Sequence, residues 1–367
     1  MSDNSEWFLI ENISELDSPA LVVYPQRIKQ NIEKLLTLQP SKNLLRPHIK
    51  TSKIKEVAKL LLDTGITRFK CATIAEATML AMAGAQDILL AYQPAGPKIQ
   101  RLTDLQIEYP AVKFSCLVDN VKSAREISAS ALANNLILPV WIDLNIGMNR
   151  TGIHVNDAFT LYQVCSELQG IKIDGLHAYD GHLNDTDLEV RTQKCEEGFK
   201  PATELFSKLQ KENQQLQIAA GGSNTFPIYA KKAGVQSGPG TFVFWDHGYA
   251  KRFPDMPFEY AALLVTRVIS KIDEHKICLD LGHKSVAAEM PLPRIYFFNE
   301  PDALQISQSE EHLVVEVKDA GKYEIGDVWY GAPMHICPSV ALYESVAVVE
   351  DKKFVERWKV IARDRFI

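Results

Sequence analysis

No run in this 367-residue chain approaches the ~20 consecutive apolar residues that a membrane-spanning helix needs. No Lys/Arg-rich block is present, and a formal net charge of -6 argues against a general binder of nucleic-acid phosphates. The opening MSDNSEWFLIENISELD is acidic and polar, not basic and then apolar, so a secretory signal is not expected. The cysteines (Cys71, Cys116, Cys165, Cys195, Cys278 and Cys337) form no CxxC and no disulfide framework. They read as reduced thiols, and with them comes the expectation of a cytoplasmic protein. Internal repeats and low-complexity tracts are absent too. The remaining composition, 46% hydrophobic and 23% charged, is that of a globular chain able to bury a sizeable core. A small molecule is the expected partner, with neither nucleic acid nor membrane.

Hydrophobic period and punctuation alternate between strand and helix. Strand-like runs lie near 44–50, 66–72, 87–92, 112–118, 138–145, 171–179, 216–220 and 235–244. Helical spacing fills the intervals: KIKEVAKLLLDTG stops at Gly65, and TIAEATMLAMAGA starts on the N-cap candidate Thr73 and stops at Gly84. NVKSAREISASALANN and NDAFTLYQVCSELQG behave alike. Eight strands alternating with helices point to an α/β chain with a parallel (β/α)8 TIM barrel. A doubly wound open sheet is the rival, and the lack of GxGxxG after the first strand weakens its dinucleotide-binding form. Beyond about residue 250 the pattern becomes strands with short polar turns. The expected organisation is a barrel over 15–250 and a β domain over 251–367 joined by residues 1–14, with KRFPDMPF as the junction.

NLLRPHIKTSK, residues 43–53, sets Arg46, His48 and Lys50 at spacing two, on one face of an extended chain. Placed in a barrel, Lys50 ends its strand at the mouth, where active sites gather. A lysine there suits a Schiff base with a carbonyl compound. A lone lysine at a strand end is more often a surface residue; its two cationic companions argue against that. DLNIGMNRTGI follows the fifth strand, and the fixed charge of Arg150 suits a phenolate or carboxylate, with a plain polar turn as the alternative. In GLHAYDGHLND, His177 and Tyr179 share the lumen face. AAGGSNTFP and SGPGTF end the seventh and eighth strands with small residues that let backbone N–H groups approach a phosphate. In PMHICPS, His335 and Cys337 point the same way if the backbone is extended, so one metal ion could take both, a chance pairing being the alternative.

Together these segments resemble the D-threonine aldolase and D-serine dehydratase group, fold-type III pyridoxal-phosphate enzymes related to alanine racemase through the barrel. RPHIKTSK is similar to the cofactor-lysine motif, and GMNRTG to the motif whose arginine contacts the cofactor's phenolic oxygen. GGSNT and GPGTF resemble the phosphate loops, and HICP the metal motif. The correspondence runs from about Ser18 to Pro338. It implies that pyridoxal 5'-phosphate is anchored on Lys50 rather than Lys53. It also implies that Arg150 meets the ring hydroxyl, that Gly222, Ser223, Gly240 and Thr241 hold the phosphate, and that His177 and Tyr179 line the pocket. His335 and Cys337 are implied as metal ligands, with zinc favoured by the thiolate and manganese or magnesium as alternatives.

Lys50, His335 and Cys337 are therefore the expected catalytic residues. The implied activity is that of a lyase on D-β-hydroxy amino acids. The His-x-Cys pairing leans it toward dehydration of D-serine or 3-hydroxyaspartate over retro-aldol cleavage of D-threonine. An amino-acid racemase and a non-catalytic cofactor-binding protein are the other classes. A homodimer is implied, the β domain of one subunit closing the barrel mouth of the other. Ser52 stands where many relatives have histidine, and the resemblance assigns no role to Asp280 and Lys284 of DLGHK.

Overall fold

Alternating strand and helix patterns fold as the period requires. In the computed structural model, which describes residues 6–367, Arg68–Cys71, Asp87–Leu90, Lys113–Val118, Leu138–Asn145, Ile171–Ala178, Gln217–Ala220 and Val235–Ser237 pair side by side in that order. Every one of these pairings is parallel. Helices Ile74–Ala83, Pro97–Glu108, Val121–Ala133, Val155–Ser166 and Leu188–Gln210 form the crossovers. Ile74–Ala83 shows why they start and stop where they do. Thr73 caps it by accepting from Glu76 N at 3.1 Å, the Glu76 carboxylate reaches back to Ala72 N at 2.6 Å, and Gly84 ends it in the left-handed region. Such a cap contributes about 1 kcal/mol.

The first expected strand, 44–50, is shorter than its pattern suggested. Leu45 bridges Ser237 and His48 bridges Lys70, both in parallel sense. Arg46 N donates to Ser237 O at 2.9 Å, and Lys70 N donates to Pro47 O at 2.8 Å. One extended segment thus touches both edges of the sheet, which closes the barrel and removes the open-sheet alternative. Pro47 has no N–H to extend the ladder, and the chain turns into a 3-10 turn at Ile49–Thr51. The expected 235–244 strand is also cut short. Ser237 ends it, Pro239 interrupts it, and Thr241–Val243 is a 3-10 turn.

Inward-facing residues fill the barrel in layers. Leu89, Leu117, Trp141 and Ala219 form an apolar cluster. Below it Arg46 binds Asp87 through both guanidinium ends and donates from Nε to Gln236 at 2.9 Å. Its guanidinium carbon lies 5.4 Å from the Trp141 ring centroid. Of the three cations aligned in the sequence, Arg46 is therefore interior packing with a partly buried counter-ion.

Contacts group the described residues up to Lys34 with Thr51–Ile54 and Thr241–Arg363 as one unit, and Leu35–Lys50, Lys55–Gly240 and Asp364–Ile367 as the other. The first unit holds a mixed sheet around Ala262–Lys271. Ala20–Val23, a strand absent from the pattern reading, pairs antiparallel with it and parallel with Ser345–Glu350. Phe8, Val22, Tyr24, Val265, Tyr330 and Ala347 share its core. Asp280 ties this unit together: it accepts from Thr266 Oγ1 at 2.6 Å, from Arg267 N at 2.8 Å and from Ser18 Oγ. Lys284 pairs at the surface with Glu310 and Glu311. In this unit helix Ile336–Val340 leads, by way of a short turn, into the strand Ser345–Glu350. All six cysteines are free. Among the described residues no helix is long and apolar enough to cross a membrane.

Candidate active site

Lys50, Arg150, Tyr179 and the two glycine loops follow the C-terminal ends of strands, the end at which barrels carry chemistry, whereas His177 lies within Ile171–Ala178. Lys50 sits in the 3-10 turn beyond the closing segment, two residues later than a strand end would put it. Its ammonium lies 5.9 Å from the centroid of the Tyr179 ring, and the Arg150 guanidinium carbon lies 4.9 Å from the same centroid. Two cations share one aromatic ring. Attraction to the π-face of a Tyr contributes ~0.5–2 kcal/mol per cation. Beside the ring, a Cβ on Gly222 would fall 2.9 Å from Tyr179 Cε2, so only glycine lets this backbone pass.

Arg150 rides on the loop after Leu138–Asn145. Gly152 closes that loop at φ +97°, and a Cβ there would meet Asn145 N at 2.6 Å. Thr151 Oγ1 donates to Asp143 Oδ2 at 3.0 Å, and Gly152 N donates to Asp119 at 3.1 Å. The two glycine loops are linked as well: Gly240 N donates to Ser223 Oγ at 3.0 Å. Ser223 is buried, and Asn224 behind it donates to the carbonyls of Asp180 and Leu183.

His177 does not share one setting with Tyr179, although the sequence places both on the lumen face. Tyr179 lies beyond the strand under the two cations. His177 is buried between Lys70 and Asp143. Register explains the second contact, since Asp143 and His177 are direct partners across the Leu138–Asn145 and Ile171–Ala178 pairing. Burial and the nearby Lys70 charge hold the His177 imidazole below its ordinary pKa. Lys70 was missed as a site residue, although a lysine flanked by Phe69 and Cys71 within an apolar strand was signal enough.

In the other unit, His335 and Cys337 are not in the continuous extended backbone expected. His335 stands at the N-cap position of helix Ile336–Val340 without a side-chain capping bond, and Cys337 lies in its first turn. They still interact, and Glu289 Oε1 lies 2.5 Å from His335 Nδ1. Burial disfavours the charged ring, but Cys337 and Glu289 outweigh it and push the His335 pKa up to about 9. Cys337 Sγ lies 3.2 Å from Thr51 Oγ1 and 3.8 Å from Thr241 Oγ1. Thr241 therefore meets the thiol here. Among the described residues no group of three or more His, Cys, Asp or Glu converges as a ready metal cage.

The donor sets suit the groups the sequence implied. An amine, a guanidinium, an aromatic ring and two linked glycine loops match an aldehyde-bearing, phosphorylated pyridine. An imidazole with a carboxylate on its Nδ1 is the arrangement that frees Nε2 for a metal. A thiol beside it matches a borderline-soft cation, and two protein ligands leave positions open.

A closed parallel barrel with a lysine at its mouth, followed by a largely antiparallel β unit, defines the class. The alanine racemase N-terminal domain model matches residues 23–244, more than half of the chain, and a putative serine dehydratase domain matches 261–349. The chain belongs to the alanine racemase N-terminal domain family. It is 27% identical over 361 residues to the D-threonine aldolase of Arthrobacter sp., covering 96% of this chain and 94% of that one. The crystal structure of D-threonine aldolase from Filomicrobium marinum superposes with a TM-score of 0.89 at 23% identity, over 97% of this chain and 98% of that one. D-threo-3-hydroxyaspartate dehydratase from Delftia sp. HT23 follows at 0.79 and 21%, over 94% and 97%.

Proposed function

We propose that this protein is a pyridoxal-phosphate-dependent lyase of D-β-hydroxy amino acids that cleaves the Cα–Cβ bond to release glycine and an aldehyde. The observation that carries the reading is the convergence of Lys50 and Arg150 on the Tyr179 ring, with the Gly222 backbone against that ring. Lys50 would hold the cofactor's aldehyde carbon and Arg150 its ring oxygen. Gly222, Ser223, Gly240 and Thr241 would hold its phosphate, and Tyr179 and His177 would bound its ring. His335 and Cys337 would hold a divalent metal, zinc before manganese or magnesium, with Glu289 orienting the imidazole. Bound there, the cofactor supplies an electron sink and the metal a Lewis acid.

The sequence alone leaned toward dehydration. The relative matched along nearly the whole chain carries an aldolase name, and that moves the proposed reaction to carbon–carbon cleavage. Dehydration to a keto acid and ammonia is the second reading, favoured by the His-x-Cys pair and by the serine dehydratase match over 261–349. A homodimer is part of the proposal, and light scattering at micromolar concentration tests it.

The deciding experiment incubates purified protein, carrying its cofactor, with D-threonine and with D-serine, with and without a chelator. Chelator-sensitive glycine from D-threonine is the expected result. Chelator-sensitive pyruvate from D-serine without glycine would transfer the case to the dehydratase. Chelator-resistant loss of optical activity alone would make it a racemase. Absence of a visible cofactor band in protein supplied with pyridoxal phosphate would end the pyridoxal reading.

A further inference from the structure

Three side chains cross the barrel interior in one line of hydrogen bonds, and the functional reading leaves two of them without a role. Lys70 Nζ lies 3.1 Å from His177 Nε2, and His177 Nδ1 lies 2.7 Å from Asp143 Oδ1. Relative exposures are 2% for Lys70, 5% for His177 and 3% for Asp143, so the line is shielded from bulk solvent. The second Asp143 oxygen accepts from Gln93 Nε2 at 2.8 Å and from Thr151 Oγ1 at 3.0 Å. Room for the lysine amine comes from Gly238, where a Cβ would stand 2.7 Å from Nζ.

Donor and acceptor chemistry fixes the ring. An ammonium only donates, and an ionised carboxylate only accepts. His177 must therefore accept at Nε2 and donate from Nδ1, which is one neutral tautomer with both nitrogens engaged. Adding a proton at Nε2 would set an N–H against an ammonium. The charged groups around the line agree. Arg46, Lys50, Asp143 and Asp180 act on Lys70, and Lys70, Asp143 and Arg150 act on His177. Burial and the Arg46 charge bring the Lys70 pKa down to about 7. An uncharged Lys70 amine still has N–H groups to donate, so the tautomer survives its titration. Burial would raise the Asp143 pKa, but the His177, Thr151 and Gln93 hydrogen bonds outweigh it and hold the carboxyl ionised.

We propose that Lys70 and Asp143 are positioning residues that lock His177 as a neutral ring, protonated at Nδ1 and accepting at Nε2. His177 then gives the pocket shape and does not shuttle protons. Through Thr151, the same Asp143 also fixes the loop that carries Arg150. The bearing on catalysis rests on the pocket assignment above; the tautomer itself does not.

The experiment is nitrogen NMR of protein labelled in its histidines with nitrogen-15, with the His177 signals identified by their loss in His177→Gln. The expected wild-type spectrum has a protonated Nδ1 and a hydrogen-bonded acceptor Nε2, and the ring stays neutral below the ordinary imidazole pKa of ~6.5. Lys70→Met keeps the bulk and removes the donor. Its Nε2 signal should shift to that of an unbonded acceptor, and the ring should titrate at higher pH, since Asp143 remains and the opposing cation is gone. Should Lys70→Met fail to fold, Asp143→Asn provides the second reading, with loss of the single-tautomer preference expected.

A wild-type ring protonated at Nε2 overturns the proposal. So do His177 signals and titration unchanged in a folded Lys70→Met or Asp143→Asn. Protein that shows the tautomer but takes up no pyridoxal phosphate upholds this inference and overturns the functional reading instead.

Discussion

Arg46 and Asp87, 41 residues apart in the chain, form a two-pronged ion pair inside the barrel, Nη1 to Oδ1 at 2.6 Å and Nη2 to Oδ2 at 3.0 Å. The Arg46 side chain is 1% exposed and that of Asp87 14%. Removing Arg46 leaves Asp87 with only the longer Arg68 contact, at 4.0 Å, to offset its charge. Arg46→Met should therefore cost ~1–3 kcal/mol, read from denaturant midpoints at neutral pH. The double variant Arg46→Met with Asp87→Leu should recover much of that loss. A single variant as stable as wild type would show that the pair carries no such charge balance.

The same pair sets an acid limit. Burial would raise the Asp87 pKa, yet the Arg46 charge and hydrogen bonds outweigh it and hold the carboxyl below its ordinary value of 3.8. A carboxyl with a depressed folded pKa contributes stability that is present above its unfolded pKa. That contribution is lost as pH falls through the folded value. As pH falls below about 4, urea midpoints of wild type should drop more steeply than those of the charge-free double variant.

Lys50→Ala should abolish the visible band of bound pyridoxal phosphate and all turnover while leaving circular dichroism unchanged, because no hydrogen bond of the barrel depends on its amine. A variant that kept the band would move the covalent anchor to another lysine.

Gly222→Ala tests the cradle. Its Cβ would press on the Tyr179 ring from 2.9 Å. The ring shift needed to relieve it should weaken pyridoxal phosphate binding at least tenfold, as titrated by fluorescence, with turnover recovering at saturating cofactor. Equal affinity in the two proteins would put the phosphate elsewhere.

The proposed metal site divides into ligand and support. His335→Ala and Cys337→Ala should each lose metal and activity together. Glu289→Gln keeps the ligands but weakens the hold on His335, and should lower metal affinity ~10–100-fold, with activity restored by excess zinc. Metal content measured after dialysis checks all three. Full metal retention by Cys337→Ala would remove the thiol from the ligand set.

Strand–helix alternation, the caps at Thr73 and Gly84, and the order of the barrel strands were legible in the chain because each is set by local period and local backbone preference. Lys50, Arg150 and the glycine loops were legible as mouth residues for the same reason, since position after a strand is itself a local property. Ala20–Val23 was not, because a four-residue apolar run gains its meaning from a partner more than 200 residues away. Nor was barrel closure: it depends on two isolated bridges from one short segment. The roles of Arg46, Lys70 and Asp143 were hidden as well. The side of a strand on which a charge lies can be read from spacing two. Whether that charge meets water, a carboxylate or an imidazole is decided only when distant strands bring their inward faces together.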